Sequence, residues 1–142
     1  MRLLNNLINF ISYYHHKRIF DYLKKINFSI IVDIGAHKGE FISFASKLKK
    51  IKKIYAFEPQ PTIYDILIHR FKNNKKFKFY NLALDKEKKE RFLYINNLSS
   101  TSTLSNFNKN SFYLKLKNSL TQMKYNYIKK IKIKTSTLDK VL

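Results

Sequence analysis

The chain has 142 residues, of which 44% are hydrophobic and 15% aromatic, enough to build one globular domain around a real core. It has no cysteine and only four scattered histidines, which excludes disulfide scaffolds and thiolate or zinc-type sites, so no metal is expected. The formal charge of +20 at pH 7 raises nucleic acid or an anionic membrane as partners, but lysine is interleaved with Asn, Ile, Phe and Tyr along the whole chain, the pattern that A/T-rich codons leave. No specific nucleic acid is therefore expected; a basic binding module would gather its lysines on one face.

Leu3, Leu4, Leu7, Ile8 and Ile11 recur at helical spacing among Asn5, Asn6 and Asn9, which predicts an amphipathic helical segment over 1–28. The apolar run falls short of the roughly 20 residues that span a bilayer, and a signal peptide fits poorly because amides interrupt it and no small-residue cleavage site follows. A cytoplasmic protein is expected, with weak peripheral membrane association through this helix left open.

Residues 29–142 alternate strand and helix, the pattern of an α/β fold with a parallel sheet. Ile30 to Ile34 reads as a buried strand. Phe41, Phe44, Ala45 and Leu48 line one face of a helix over 40–50. Ile54 to Phe57 is a second strand, stopped by Glu58-Pro59-Gln60-Pro61. Tyr64 to Phe71 follows as a helix and Phe77 to Leu84 as a third strand. Arg91 to Ile95 is a further strand, and 96–110, rich in Ser, Thr and Asn, a loop. Residues 112–127 fit a helix or a long excursion, and Ile131 to Thr135 alternates as an edge or half-exposed strand.

Both glycines of the chain, Gly35 and Gly39, fall in the turn after the first strand. An apolar run ending in an acid and two close glycines is how a buried strand turns into a helix while a ligand presses on bare backbone. Asp33 closes the first strand and Glu58 the second, about two dozen positions on, near the spacing at which a nucleotide-binding fold offers a carboxylate to ribose hydroxyls. The turn lacks the three-glycine spacing that wraps a dinucleotide pyrophosphate, which favours a cofactor with adenosine and an amino-acid tail over a nicotinamide. His37 reads as a turn residue, and Ser99 to Thr103 as a loop without a serine nucleophile's partners.

Five landmarks in order, Val32-Asp33-Ile34-Gly35-Ala36-His37-Lys38-Gly39, Ala56-Phe57-Glu58-Pro59, Asn81-Leu82-Ala83-Leu84-Asp85, Ser99 to Leu104 and Thr137-Leu138-Asp139, resemble FkbM-type methyltransferases over Ile30 to Leu142. The resemblance implies a class I methyltransferase, a Rossmann-like doubly wound sheet binding S-adenosyl-L-methionine. Asp33, Gly35, Ala36 and Gly39 would surround its amino-acid end, Glu58 its ribose, and Ala83 and Asp85 its adenine. It also implies transfer to a hydroxyl on a sugar, glycan or other small molecule. Such proteins continue into a strand with an Ile-Asp-Val-Glu-Gly-like segment, so the domain is expected to be incomplete at its C-terminus, and no catalytic residue is assigned. A cofactor-binding remnant without activity and a basic nucleic-acid or membrane-binding module are the alternatives. Nothing in the residues sets the oligomeric state.

Overall fold

The computed structural model describes residues 14, 17–96, 102–104 and 127–142. Its contacts divide the chain into two compact units, Met1–Tyr80 and Asn81–Leu142.

In the first unit three short strands, β1 (Ile30–Ile34), β2 (Lys53–Phe57) and β3 (Phe77–Tyr80), pair in parallel in the order β1-β2-β3. Parallel neighbours need a crossover, and helices α2 (Glu40–Ala45) and α3 (Pro61–Phe71) lie in the two connections. This is a Rossmann-like arrangement, one half of a doubly wound sheet. Ile31, Ile42, Ala45, Leu48, Ile54, Ala56, Leu67 and Phe77 form its core.

Preceding β1, residues 17–25 form a helix, α1, whose Phe20 and Leu23 pack against that core. Its C-terminal carbonyls would be short of donors. The Lys50 ammonium supplies them, donating to Leu23 O at 2.7 Å, to Lys24 O at 3.3 Å and to Ile26 O, while lying 4.7 Å from the centre of the Phe28 ring. The apolar repeat of residues 1–13 lies outside the described residues.

Two predicted helices change length. The one expected over 40–50 ends at Ala45, because the Ser43 and Ser46 hydroxyls bond back to the carbonyls of Glu40 and Ser43, at 2.7 and 3.3 Å, and compete with helical bonding. Tight turns carry the chain on, and Leu48 still reaches the core. Helix α3 begins earlier than expected, at Pro61, a first-turn position where the missing N–H costs nothing.

The second unit holds β4 (Ala83–Leu84), β5 (Glu90–Asn96) and β6 (Tyr127–Ser136) in the order β4-β6-β5. The single strand predicted over 77–84 is thus two: its first half pairs with β2 and its second with β6, with a bend at Asn81 and Leu82. The strand predicted over 131–135 is longer and central, parallel to β4 and antiparallel to β5, with one half-exposed side. Leu93 and Ile133 pack with Ala83 inside. Thr135 is buried, its hydroxyl donating to the carbonyls of Glu87 and Lys89 at 2.9 and 3.0 Å and thereby fastening the preceding turn. Of the predicted loop over 96–110, residues 102–104 are described, with Thr103 and Tyr94 exchanging backbone bonds of 2.9 and 3.1 Å. The segment 112–126 lies outside the described residues.

Among the described residues no helix is long and apolar enough to cross a membrane.

Replacing Lys50 by methionine keeps the aliphatic stem and removes the donors. It is expected to cost about 1–2 kcal/mol in urea unfolding and to weaken helicity. An unchanged midpoint would show that α1 is held by Phe20 and Leu23 alone.

Candidate cofactor site

The turn leaving β1 is fixed by its own backbone. Gly35 N–H and Ala36 N–H both donate to Phe57 O at 2.9 Å, so the turn closes over the end of the neighbouring strand, and Gly39 N–H donates to Ala36 O at 2.8 Å. Gly35 at φ 80°, His37 at φ 49° and Gly39 at φ 82° all take left-handed backbone. Only glycine does this at little cost, which is why the chain places its two here.

The two glycines do different work. A Cβ on Gly35 would meet nothing within 4 Å, so backbone there is open to an incoming molecule. One on Gly39 would stand 2.3 Å from Phe71 Cε2 and 2.9 Å from Leu67 Cδ1. Gly39 therefore lets α3 pack against the first turn of α2, whereas Gly35 offers the ligand-accessible face.

Glu58 leaves β2 and is buried, at 6% exposure. Its carboxylate accepts from His37 N–H at 2.9 Å through Oε2 and from Gln60 N–H at 2.8 Å through Oε1. Burial pushes its carboxyl above the ordinary range, and the bonds from Gln60 and His37 pull it back only in part. The glycine turn and the β2 exit, far apart in sequence, are thus tied through one side chain.

Asp33 on β1 has the opposite fate: its buried Oδ2 has no hydrogen-bond partner. Burial, reinforced by the Glu40 and Glu58 charges, raises its carboxyl to about 6. Burial acts on Glu40 in the same sense, but bonds from His37, whose Nδ1 lies 3.1 Å from Glu40 Oε1, and from its own backbone hold that carboxyl below its usual value. Three acids whose charges act on one another beside an open turn make a local well for a cationic group. Sequence reading passed over Glu40, Gln60 and the His37 amide as parts of this site; an acid in the first turn of a helix was the visible sign for Glu40.

Asp33, Gly35, Ala36, Gly39 and Glu58 all belong to the first unit. In the second, Ala83 is buried against Leu93 and Ile133. Asp85 accepts from Arg91 Nη1 at 2.6 Å and from Lys86 N–H at 2.8 Å, bonds that lower its carboxyl, the Arg91 contact first. Sequence reading missed Arg91 as the partner of Asp85. Among the described residues no group of three or more His, Cys, Asp or Glu could hold a metal.

Residues 33–142 match the methyltransferase FkbM domain. The chain belongs to the FkbM methyltransferase family. The match begins at Asp33 and takes in all seven residues singled out for the cofactor. None of the curated proteins matches. The crystal structure of a methyltransferase FkbM from Methylobacillus flagellatus KT is similar, at 12% identity and a TM-score of 0.46, over 83% of this chain and 24% of that one. The FkbM chain described here thus spans about a quarter of the length of that solved relative.

The contrast between the glycines gives a paired prediction. Gly39→Ala combines left-handed strain with a clash against Phe71 and is expected to cost about 3 kcal/mol or more in urea unfolding, whereas Gly35→Ala should lose only the backbone term of about 1–2 kcal/mol. Equal losses would mean that the two positions are packed alike.

Asp33 makes a second prediction through pH. Its folded carboxyl lies above the unfolded one, so the native state binds the proton more tightly and stability falls as pH rises through about 6. Asp33→Asn should abolish this fall, making the variant more stable than the parent at pH 7.5 and closer to it at pH 4 in urea titrations. Parallel pH profiles would show that Asp33 is not desolvated.

Proposed function

We propose that this FkbM-family chain binds S-adenosyl-L-methionine at the glycine turn and serves methyl transfer to a hydroxyl oxygen of a sugar, glycan or other small molecule in the cytoplasm. The buried Oδ2 of the half-buried Asp33, which has no hydrogen-bond partner, beside the open backbone of Gly35 carries the reading. It asks for a cationic group at close range, and this cofactor has an ammonium, which can donate, and a sulfonium, which supplies charge only. With its carboxyl at about 6, Asp33 is ionised at neutral pH, and the ligand would convert that unfavourable buried charge into a paired one.

Glu58 fits the ribose role because an ionised carboxylate has more than two acceptor sites, so its oxygens can serve hydroxyl donors besides the backbone N–H groups they already meet. Gly35 and Ala36 would face the amino-acid end, and Gly39 would act by setting the pitch of α2. When bound, the cofactor supplies an electrophilic methyl group whose transfer leaves a neutral thioether. The chain's own contribution is orientation, and placing donor and acceptor in line accounts for much of the acceleration of such displacements. No side chain described here is assigned as the base that takes the hydroxyl proton.

Calorimetric titration with S-adenosylhomocysteine tests the proposal. Binding is expected, weaker by about tenfold at pH 5 than at pH 7.5 because the Asp33 proton must leave first, and insensitive to pH in Asp33→Asn. Glu58→Ala should weaken it by about tenfold or more. No heat from folded protein, or Glu58→Ala indistinguishable from the parent, would sink the reading, and heat with NADH instead would transfer the site to a nicotinamide. Binding without turnover on any hydroxyl acceptor would leave a cofactor-binding remnant.

A further inference from the structure

The hairpin-like pair β5/β6 has two unlike faces. Leu93 and Ile133 point into the core of the second unit. The antiparallel register places Glu90 opposite Lys134, Phe92 opposite Lys132 and Tyr94 opposite Lys130 on the other face. All three lysines are exposed, and Phe92 keeps 43% of its surface open, while its strand neighbours Arg91 and Leu93, on the other face, are better covered. The Lys130 ammonium lies 3.8 Å from the centre of the Phe92 ring and 5.7 Å from that of Tyr94. Among the described residues of this face Glu90 is the one acid, and it already meets Lys132 Nζ at 3.3 Å.

We propose that this face binds single-stranded nucleic acid without sequence preference. Side chains on one face of a strand recur about every 7 Å, so Lys130, Lys132 and Lys134 form a straight row of cations along β6. Phe92 stands beside that row with Lys130 over its ring, and as Lys130 turns to a phosphate the ring is left for a base to stack on, every base having a π-face, while the lysines track the backbone. A membrane would be held by apolar side chains inserted below its headgroups, and among the described residues this face offers Phe92 and the polar-tipped Tyr94 but no aliphatic side chain. An acidic polysaccharide would satisfy the lysines and leave the ring unused.

Fluorescence anisotropy of a labelled oligothymidylate of about a dozen nucleotides, titrated with the whole chain at several salt concentrations, decides it. Three neutralised phosphates give a slope of about −2 in log K against log salt. Lys130→Gln, Lys132→Gln and Lys134→Gln combined should flatten that slope to near zero and weaken binding more than tenfold at low salt. Phe92→Ala should weaken it about tenfold at every salt concentration with the slope kept. Should the triple variant not fold by circular dichroism, Lys132→Gln alone should reduce the slope by about 0.7. The proposal falls if Phe92→Ala binds like the parent. It falls equally if Lys47→Gln, Lys49→Gln and Lys52→Gln, exposed lysines of the other unit, weaken binding as much as the β6 set. An acidic polysaccharide that competes equally well per charge would also overturn it, since the face would then be a plain cation exchanger.

Discussion

The first unit depends on what the Glu58 carboxylate holds. One oxygen accepts from the glycine turn at His37, the other from Gln60 at the entry to α3, so a single side chain joins the exits of two strands and the start of a helix. Hydrogen bonds to an ionised group contribute about 1.5–3 kcal/mol each, against a desolvation cost that burial of the same group imposes. Burial displaces the Glu58 carboxyl upward, and the bonds from Gln60 and His37 oppose that displacement.

Asp33 shows the same chemistry with no backbone amide to meet its inner oxygen. Both acids end parallel strands that pair directly, Asp33 opposite Ala56 and Ile34 opposite Phe57, the residue before Glu58. Parallel pairing therefore brings to the C-terminal end of the sheet two acids that the sequence separates widely. Burial raises the proton affinity of Asp33 first, and the Glu40 and Glu58 charges add to it. Strain of this kind is relieved by a positive ligand.

The local parts of this site were legible in the chain. The placing of both glycines, the acid at each strand end and the apolar run of β1 are facts about neighbours, and neighbours decide turns and strands. The division of labour between Gly35 and Gly39 was not, because it depends on Phe71 and Leu67 arriving from α3. The break in the run Phe77 to Leu84 was invisible for the same reason: both halves suit a strand, and only β2 and β6, distant in sequence, decide that they pair apart. Helix α2 was overextended because the apolar spacing through Leu48 is genuine and a tight turn satisfies it as well as a helix.

Charge is the property for which composition was least informative. Twenty excess positive charges spread along the chain look uniform, and a uniform coat of lysine governs solubility and loose association more than recognition. Strand geometry breaks that uniformity. In β6 the alternation of Ile131, Ile133 and Thr135 with Lys130, Lys132 and Lys134 sends one set inward and the other outward, because a two-residue period admits no other arrangement once one face is buried. The same burial that makes Ile133 a core residue therefore aligns the lysines and leaves Phe92 among them. A mutation that shifted the β5/β6 register by one residue would bury the cations and expose the core, so the cationic row is as tightly specified as the hydrophobic cluster beneath it.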